Sequence, residues 1–457
     1  MKKLISSILL ILVAISFVNA QTDSTATDTT KTGKKEKIKK GFSFGGVPVV
    51  AYDSDLGFKY GIVLNLYDYG DGTRYPEYDH SLYLEWSRTT KGNGINQIIY
   101  DSEKLIPKMR VTLEAAYITE KALDFYGYNG YESYYNHDFE DQDNEDSYIS
   151  RVFYRHDRKS LRLRADFLGN IIGEKLRWFA GITYNSSKIK SVDIDDLNEG
   201  KDPEDTLPHL PGLYDYYVRW GVIPDNQATG GDNSQLKLGL VYDTRDIEAN
   251  PSKGLWEEVV LFMSPKVFGY ESFTTSVLFL HRQYFTLAPG RLTFAYRLGY
   301  QTKLSGDIPF YMLPYFTDSR QIKDGFGGAK TVRGILRNRV VGDGVAFGNL
   351  EFRWKFLKTY FLKQNLYIAL SAFLDGAKVM DTYEYDLTNV PDNFDINGTT
   401  YQRDTWFKNQ DEGFHLGYGG GLRFALNENF IVAFDYGMAA KKEDGKSGLY
   451  INLNWLF

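Results

Sequence analysis

The segment Gly325–Phe356 reads GFGGAKTVRGILRNRVVGDGVAFGNLEFRWKF, a glycine-dense loop centred on Val332-Arg333-Gly334 that runs into an alternating strand. Leu350, Phe352, Trp354 and Phe356 share one parity, and Glu351, Arg353 and Lys355 share the other. Successive side chains of a strand point to opposite faces, so this strand divides an apolar medium from a polar one. The next segment repeats the pattern: Leu366, Ile368, Leu370, Ala372 and Leu374 alternate with Tyr367, Ala369, Ser371, Phe373 and Asp375. Glu351 and Asp375 therefore project to the polar face.

Working outward, the same two-faced pattern recurs from residue 41 to the end of the sequence. Strands are expected near 42–52, 55–67, 80–90, 94–102, 108–118, 148–169, 174–185, 234–243, 254–264, 271–284, 290–301, 345–356, 364–376, 414–425, 428–438 and 448–457, about sixteen in all. Val111, Leu113, Ala115 and Tyr117 are expected outward, with Arg110, Thr112 and Glu114 inward. Leu161, Leu163, Ala165 and Phe167 are likewise set against Arg162, Arg164 and Asp166. The long connections, 119–147, 186–233, 302–344 and 377–413, all fall on one side of this count. Membrane β-barrels have that asymmetry, with long loops outside and short turns on the periplasmic side. The fold class expected is therefore all-β, a transmembrane antiparallel β-barrel of about sixteen strands, with a long inward-folded loop for which the length of 302–344 and its glycines at 325, 327, 328 and 334 leave the backbone free to turn back.

Composition agrees. Among 457 residues there are 35 Tyr, 30 Phe and 7 Trp, yet mean hydropathy is −0.38. That is too polar for helical spans and rich in the residues that girdle a barrel at the membrane interfaces. The formal charge of −6 gives no reason to expect nucleic acid as a partner. With no cysteine, neither a disulfide framework nor a thiolate metal site can form.

Residues 1–20 read as a secretory signal peptide: Lys2 and Lys3, an apolar run from Leu4, and Val18-Asn19-Ala20 as a small-residue cleavage site. Residues 21–40 form a Thr/Lys-rich linker without periodicity, expected to be disordered. The barrel then occupies 41–457. The final stretch, Leu449 to Phe457, carries apolar residues at odd numbers up to Trp455 and Phe457. These two are expected to face lipid, and they resemble the C-terminal signal by which outer-membrane barrels are recognised for insertion. Gly45, Gly46 and Pro48 weaken the first strand, which must pair with the last, and so mark a candidate lateral seam.

A Val-Arg-Gly loop, a strand with an internal glutamate, and a second strand bearing Phe373 and Asp375 together resemble the barrel of the BamA/TamA-like outer-membrane assembly and translocation superfamily. The resemblance implies that the loop tucks into the lumen and that Glu351 and Asp375 hold Arg333. Ile335 stands where the family has an aromatic, so that aromatic contact is expected to be missing. The segment Leu236–Gly254 resembles a second family motif, in which Asp243, Arg245 and Asp246 form a charge-paired turn shaped by Pro251 and Gly254. Family members carry POTRA domains between signal and barrel, and 21–40 is too short to hold one.

The resemblance implies an outer-membrane location in the bacterial cell and a role in inserting or translocating protein or lipid. Outer-membrane lipids, and periplasmic or outer-membrane assembly partners replacing the POTRA domains, are the implied partners. The alternative is a passive pore or structural barrel. No enzyme is expected, because no G-x-S-x-G, P-loop or Rossmann fingerprint occurs. No cofactor or metal is expected either, since the acidic runs 138–146 and 193–205 lack EF-hand spacing and the six histidines show no ligand pair.

Overall fold

The structure is a computed structural model that describes residues 38–53, 57–266, 273–361 and 364–457. The expected signal peptide and nearly all of the linker lie outside the described residues. Twenty strands run in chain order as β1 (Phe42–Asp53), β2 (Gly57–Asp68), β3 (His80–Thr89), β4 (Gly94–Ile106), β5 (Met109–Asp124), β6 (Arg155–Ile172), β7 (Leu176–Lys190), β8 (Gly230–Asp243), β9 (Gly254–Ser264) and β10 (Thr274–Ala288). They continue as β11 (Leu292–Ser305), β12 (Tyr315–Thr317), β13 (Ile322–Asp324), β14 (Gly344–Phe361), β15 (Gln364–Asp381), β16 (Asn393–Ile396), β17 (Thr399–Gln402), β18 (His415–Leu426), β19 (Phe430–Ala439) and β20 (Ser447–Leu453). Sixteen of them form one antiparallel meander, β1 to β11 followed by β14, β15, β18, β19 and β20. The pairs β12–β13 and β16–β17 are small hairpins inside two long loops. No helix among the described residues is long and apolar enough to cross a membrane.

The parity read from the sequence decides the two surfaces. Leu350, Phe352, Trp354 and Phe356 are 40, 50, 50 and 47% exposed, whereas Glu351 and Arg353 are 0 and 1%. An exposed apolar belt around a buried charged interior is the inverse of a soluble protein, and it is what a barrel surrounded by lipid requires. The inner face is lined by charge pairs such as Arg162 and Arg164 with Glu114, and Lys237 with Asp166.

Strands β5, β6, β14 and β15 are 16 to 18 residues long, beyond the ~9–11 that a tilted strand needs to span a bilayer. Their excess length rises into a cap built by the loops 125–154, 191–229, 306–343 and 382–414. Phe125, Tyr154, Tyr217, Phe310, Trp406 and Phe407 are among its buried residues, so all four loops share one aromatic core. This cap explains the largest displacement of a strand start. The expected strand from 148 begins only at Arg155, because Ile149, Phe153 and Tyr154 bury their side chains in the cap instead of continuing the ladder.

Several strands run past their expected ends, β5 to Asp124, β14 to Phe361 and β15 to Asp381, whereas the last strand stops short. The ladder between β19 and β20 stops at Val432 opposite Leu453, and Asn454 adopts a left-handed φ of 67°. Trp455 and Phe457, expected to face lipid, are instead 6 and 7% exposed and turn into the lumen. Parity alone could not foresee this, since one residue in the left-handed region ends the alternation.

The outward assignment of β20 therefore rests on Ile451, 57% exposed, while the Asn452 amide points inward and donates to the Ala329 carbonyl at 3.3 Å. Ile451→Arg is expected to cost roughly 2–4 kcal/mol of folding stability if it lies near the bilayer midplane, and Asn452→Arg much less. Urea titration of the barrel in lipid vesicles measures both. Equal losses at the two positions would remove the assignment of faces.

Candidate functional site

The loop between β11 and β14 descends into the barrel and rests on the inner wall. Val332, Ile335 and Val340 are buried with wall residues Leu278, Phe347 and Val379, so an apolar contact helps seat the loop. Arg333 then lies 0% exposed among carboxylates. Its Nε donates to Asp375 Oδ2 at 2.8 Å and its Nη2 to Asp375 Oδ1 at 3.1 Å, a two-point fork. The same Nη2 donates to Glu351 Oε2 at 3.1 Å, and the Arg333 main-chain N–H donates to Asp375 Oδ2 at 3.0 Å. A planar guanidinium matches such a fork, whereas an ammonium offers only a point charge.

The structure thus brings together all five residues expected there: Val332, Arg333, Gly334, Glu351 and Asp375. It also adds members that local sequence did not announce. Asp435 of β19 accepts from Arg333 Nη1 at 3.4 Å and takes both terminal nitrogens of Arg423, at 2.7 and 2.9 Å. Arg353 Nε stands 3.5 Å from Glu351. Three guanidiniums face three carboxylates, which is the balance a buried cluster needs. The aromatic expected to be missing at position 335 is absent, as the sequence shows. Ile335 is not aromatic, but the Phe373 ring lies 3.6 Å below the Arg333 guanidinium and fills that role from the wall. Phe373 lies two residues before Asp375 on the same face, as their shared parity requires.

Glycines make the close approach possible. A β-carbon at Gly417 would collide with the Arg333 carbonyl oxygen, and one at Gly437 would stand 2.7 Å from the Gly334 nitrogen. Gly334 itself has a φ of 93°, and its N–H donates to the Tyr450 hydroxyl at 3.0 Å.

Two further devices close the lumen. The tip of the β12–β13 hairpin reaches the short-turn end, where Arg320 Nη2 donates to Glu248 Oε1 at 2.8 Å. Glu248 belongs to the turn after β8, and burial there works to raise its carboxyl. Arg110, Arg320 and Arg245 outweigh that and hold it well below the usual range. The same turn holds the expected charge pairing, with Arg245 donating to both oxygens of Asp243 at 2.9 Å and Asp246 accepting from the Ser252 N–H at 2.9 Å.

The second device is the inward-turned end of the sequence. Trp455 lies between Arg423, at 4.8 Å, and Arg353, at 4.6 Å. Phe457 lies between Arg353, at 4.9 Å, and Arg297, at 5.2 Å. Arg353 Nη2 also donates to the Phe457 main-chain oxygen at 2.8 Å.

At the seam, Gly45, Gly46 and Pro48 pair with Asn65, Leu64 and Ile62 of β2. On its other side β1 does not simply abut its neighbour. Val47 and Tyr67, from the inward faces of β1 and β2, share an apolar cluster with Leu426, Phe430, Val432 and Leu453 from the outward faces of β18, β19 and β20. A β-carbon at Gly45 would strike the Phe430 ring. The edges of the sheet are therefore lapped, with β1 outside. What this arrangement can do is hold a loop, a tail and a seam in defined positions.

A sequence profile of the Omp85 superfamily domain matches residues 113–455. None of the curated proteins matches the sequence. Among solved structures, CdiB from Escherichia coli is similar at a TM-score of 0.50 and 10% identity, covering 90% of this chain and 62% of that one. BamA from Haemophilus ducreyi lacking POTRA domains 1-3 is similar at a TM-score of 0.47 and 14% identity, covering 91% of this chain and 69% of that one. CdiB from Acinetobacter baumannii is similar at a TM-score of 0.46 and 12% identity, covering 91% and 60%. The chain thus spans less than two thirds of the length of either CdiB, and at 10% identity the likeness to CdiB from Escherichia coli is one of fold.

Proposed function

The chain belongs to the Omp85 superfamily, and from that premise we propose that it sits in the bacterial outer membrane and assists the insertion or translocation of protein or lipid there. In this reading it catalyses no covalent chemistry. It acts by moving parts of its own barrel, beside partners in the periplasm or the outer membrane.

The observation that carries the reading is a filled lumen beside a lapped seam. Along the axis a solute meets the loop around Arg333, the Arg320 hairpin and the tail at Trp455, with cavities of about 520 and 190 Å3 left beside them. A passive pore has no use for so much ordered packing. A machine that works through its wall does, because a filled lumen protects the membrane barrier while the seam rearranges. The passive-pore reading is tested directly. In planar lipid bilayers the purified chain is expected to show no steady conductance at low voltage, and a permanently open channel would favour the pore. Depleting the chain from its cell is expected to lower the content of folded barrels or surface lipid in the outer membrane. Purification in mild detergent is expected to retain envelope proteins with periplasmic domains. Unchanged membrane composition together with a lone barrel would sink the proposal.

A further inference from the structure

On the lipid-facing side of β9, β10 and β11 the apolar rule is broken at one place. Glu257 shares the outward parity of Leu255, Val259 and Leu261 in β9, and His281 shares that of Phe279 and Phe285 in β10. The register sets Glu257 directly against His281. Their side chains are 53 and 31% exposed, with Phe279, Leu298 and Leu240 exposed around them. These strands stand midway along the sixteen-strand order, far from both lapped edges.

The pair is joined to a third side chain. His281 Nδ1 lies 3.0 Å from Glu257 Oε1, and its Nε2 lies 3.1 Å from the hydroxyl of Tyr296 on β11. An ionised carboxylate only accepts, so Nδ1 carries the hydrogen of the first contact. The result is a row with a carboxylate at one end, a phenol at the other and an imidazole between. Glu257 Oε2 has no donor among the described residues.

Depth in the membrane fixes what lies against this row. Glu257 is the fourth residue of β9 above the short-turn end. The Tyr296 ring has Phe285 and Phe294 at 6.3 and 6.2 Å between centroids, and Phe352 lies 5.0 Å beyond Phe294. Such an outward aromatic band is the girdle of a membrane interface, where headgroups meet hydrocarbon. A charge on the lipid face is costly at the midplane and nearly free at that level, which agrees with the placing.

We propose that Glu257, His281 and Tyr296 form a site for the headgroup of an ethanolamine phospholipid in the periplasm-facing leaflet. Its primary ammonium donates to Glu257 Oε2, and its phosphate accepts from the Tyr296 hydroxyl. When the ring is protonated, Nε2 donates to the phenol oxygen and leaves the phenol hydrogen free to point at the phosphate. The two ends of the row are one imidazole and two hydrogen bonds apart, the scale of a phosphoethanolamine, and the acyl chains lie over Phe279 and Leu298. A choline headgroup has no N–H to give the carboxylate, and a glycerol headgroup brings a phosphate charge with no cation for Glu257. The site rests on the outer-membrane location given under Proposed function and not on insertion or translocation.

The test mixes the full chain, folded in detergent micelles, with equal amounts of ethanolamine, choline and glycerol phospholipids of identical acyl chains. Native mass spectrometry reads which lipids stay bound. In the parent one ethanolamine lipid should be retained severalfold above the other two. Glu257→Gln, which keeps the shape and removes the charge, and Tyr296→Phe, which keeps the ring and removes the donor, should each lower that excess severalfold. In vesicles of choline lipid alone, Glu257→Gln should survive heating on gels at least as well as the parent, because it takes a charge off the lipid face. In vesicles containing ethanolamine lipid the parent should gain over it. Equal retention of the three headgroups by the parent, or an unchanged excess in both variants, overturns the site. A second copy of the chain retained by the parent and lost in Glu257→Gln makes the row a subunit contact and overturns the lipid as its occupant. Neither result touches the proposed function, which conductance and depletion test separately.

Discussion

Arg333→Ala is expected to free the long loop, so that proteases added from the loop side cut between residues 320 and 345 where the parent resists. The size of the effect follows from burial. Arg333, Glu351 and Asp375 are each 0% exposed, and removing one member of such a cluster costs ~3–5 kcal/mol because its partners stay behind unpaired, while an exposed pair is worth at most ~1 kcal/mol. Asp375 would lose both side-chain donors of its fork at once. Arg333→Lys should show most of the same loss, since an ammonium cannot hold the Asp375 fork, reach Glu351 and lie flat on Phe373 together. Glu351→Gln with Asp375→Asn should reproduce the phenotype and add little to Arg333→Ala, because the three act as one network. A loop in the Arg333→Ala protein that is no more cleavable than in the parent removes the lock from the account of this site.

Much of this was legible because a barrel wall repeats one rule. Period-two alternation gave the sixteen strands and both faces. Loop lengths gave the side on which the cap is built, and the Val-Arg-Gly loop pointed to Glu351 and Asp375. The misses have a common cause in tertiary contact. Asp435 sits on an ordinary inward position of β19, and nothing local marks it as the third carboxylate. Arg297, Arg353 and Arg423 each read as one more lumen charge. They form a ladder only because β11, β14 and β18 bring them to one stretch of wall and a distant tail threads them. The tail misled for the same reason: apolar side chains suit lipid and a row of stacked guanidiniums equally well, so composition could not choose. The residues between 148 and 154 have strand-like content, and the cap claims them through aromatic packing that no period records.

β18 carries glycines at 417, 419, 420 and 421, and the structure gives one of them a specific duty that a second large effect can test. Gly417 faces inward beneath the loop, where the Arg333 carbonyl lies against its α-carbon. Gly437 on the neighbouring strand offers the same bare surface to Gly334. Gly417→Val would put two methyl groups where the loop backbone now runs, and the wall cannot yield, since Gly417 is held in the ladder with both Asp375 and Ala439. The loop has to retreat instead. Overpacking by itself costs about 1–3 kcal/mol, but a shift of the loop large enough to clear a side chain also opens the Arg333 fork, whose donors sit at 2.8 to 3.1 Å. The expected total therefore approaches the ~3–5 kcal/mol of losing the buried arginine itself. Cleavage between 320 and 345 should rise as in Arg333→Ala, even though every charged residue is still present. Gly420→Val is the control, because a β-carbon there meets only the Ser371 carbonyl at 3.2 Å and not the loop. The combination of Gly417→Val with Arg333→Ala should be little worse than either alone, since both end with the loop off the wall. Full additivity of the two, or an intact loop in Gly417→Val, would mean that the bare strip on β18 serves something other than seating Arg333.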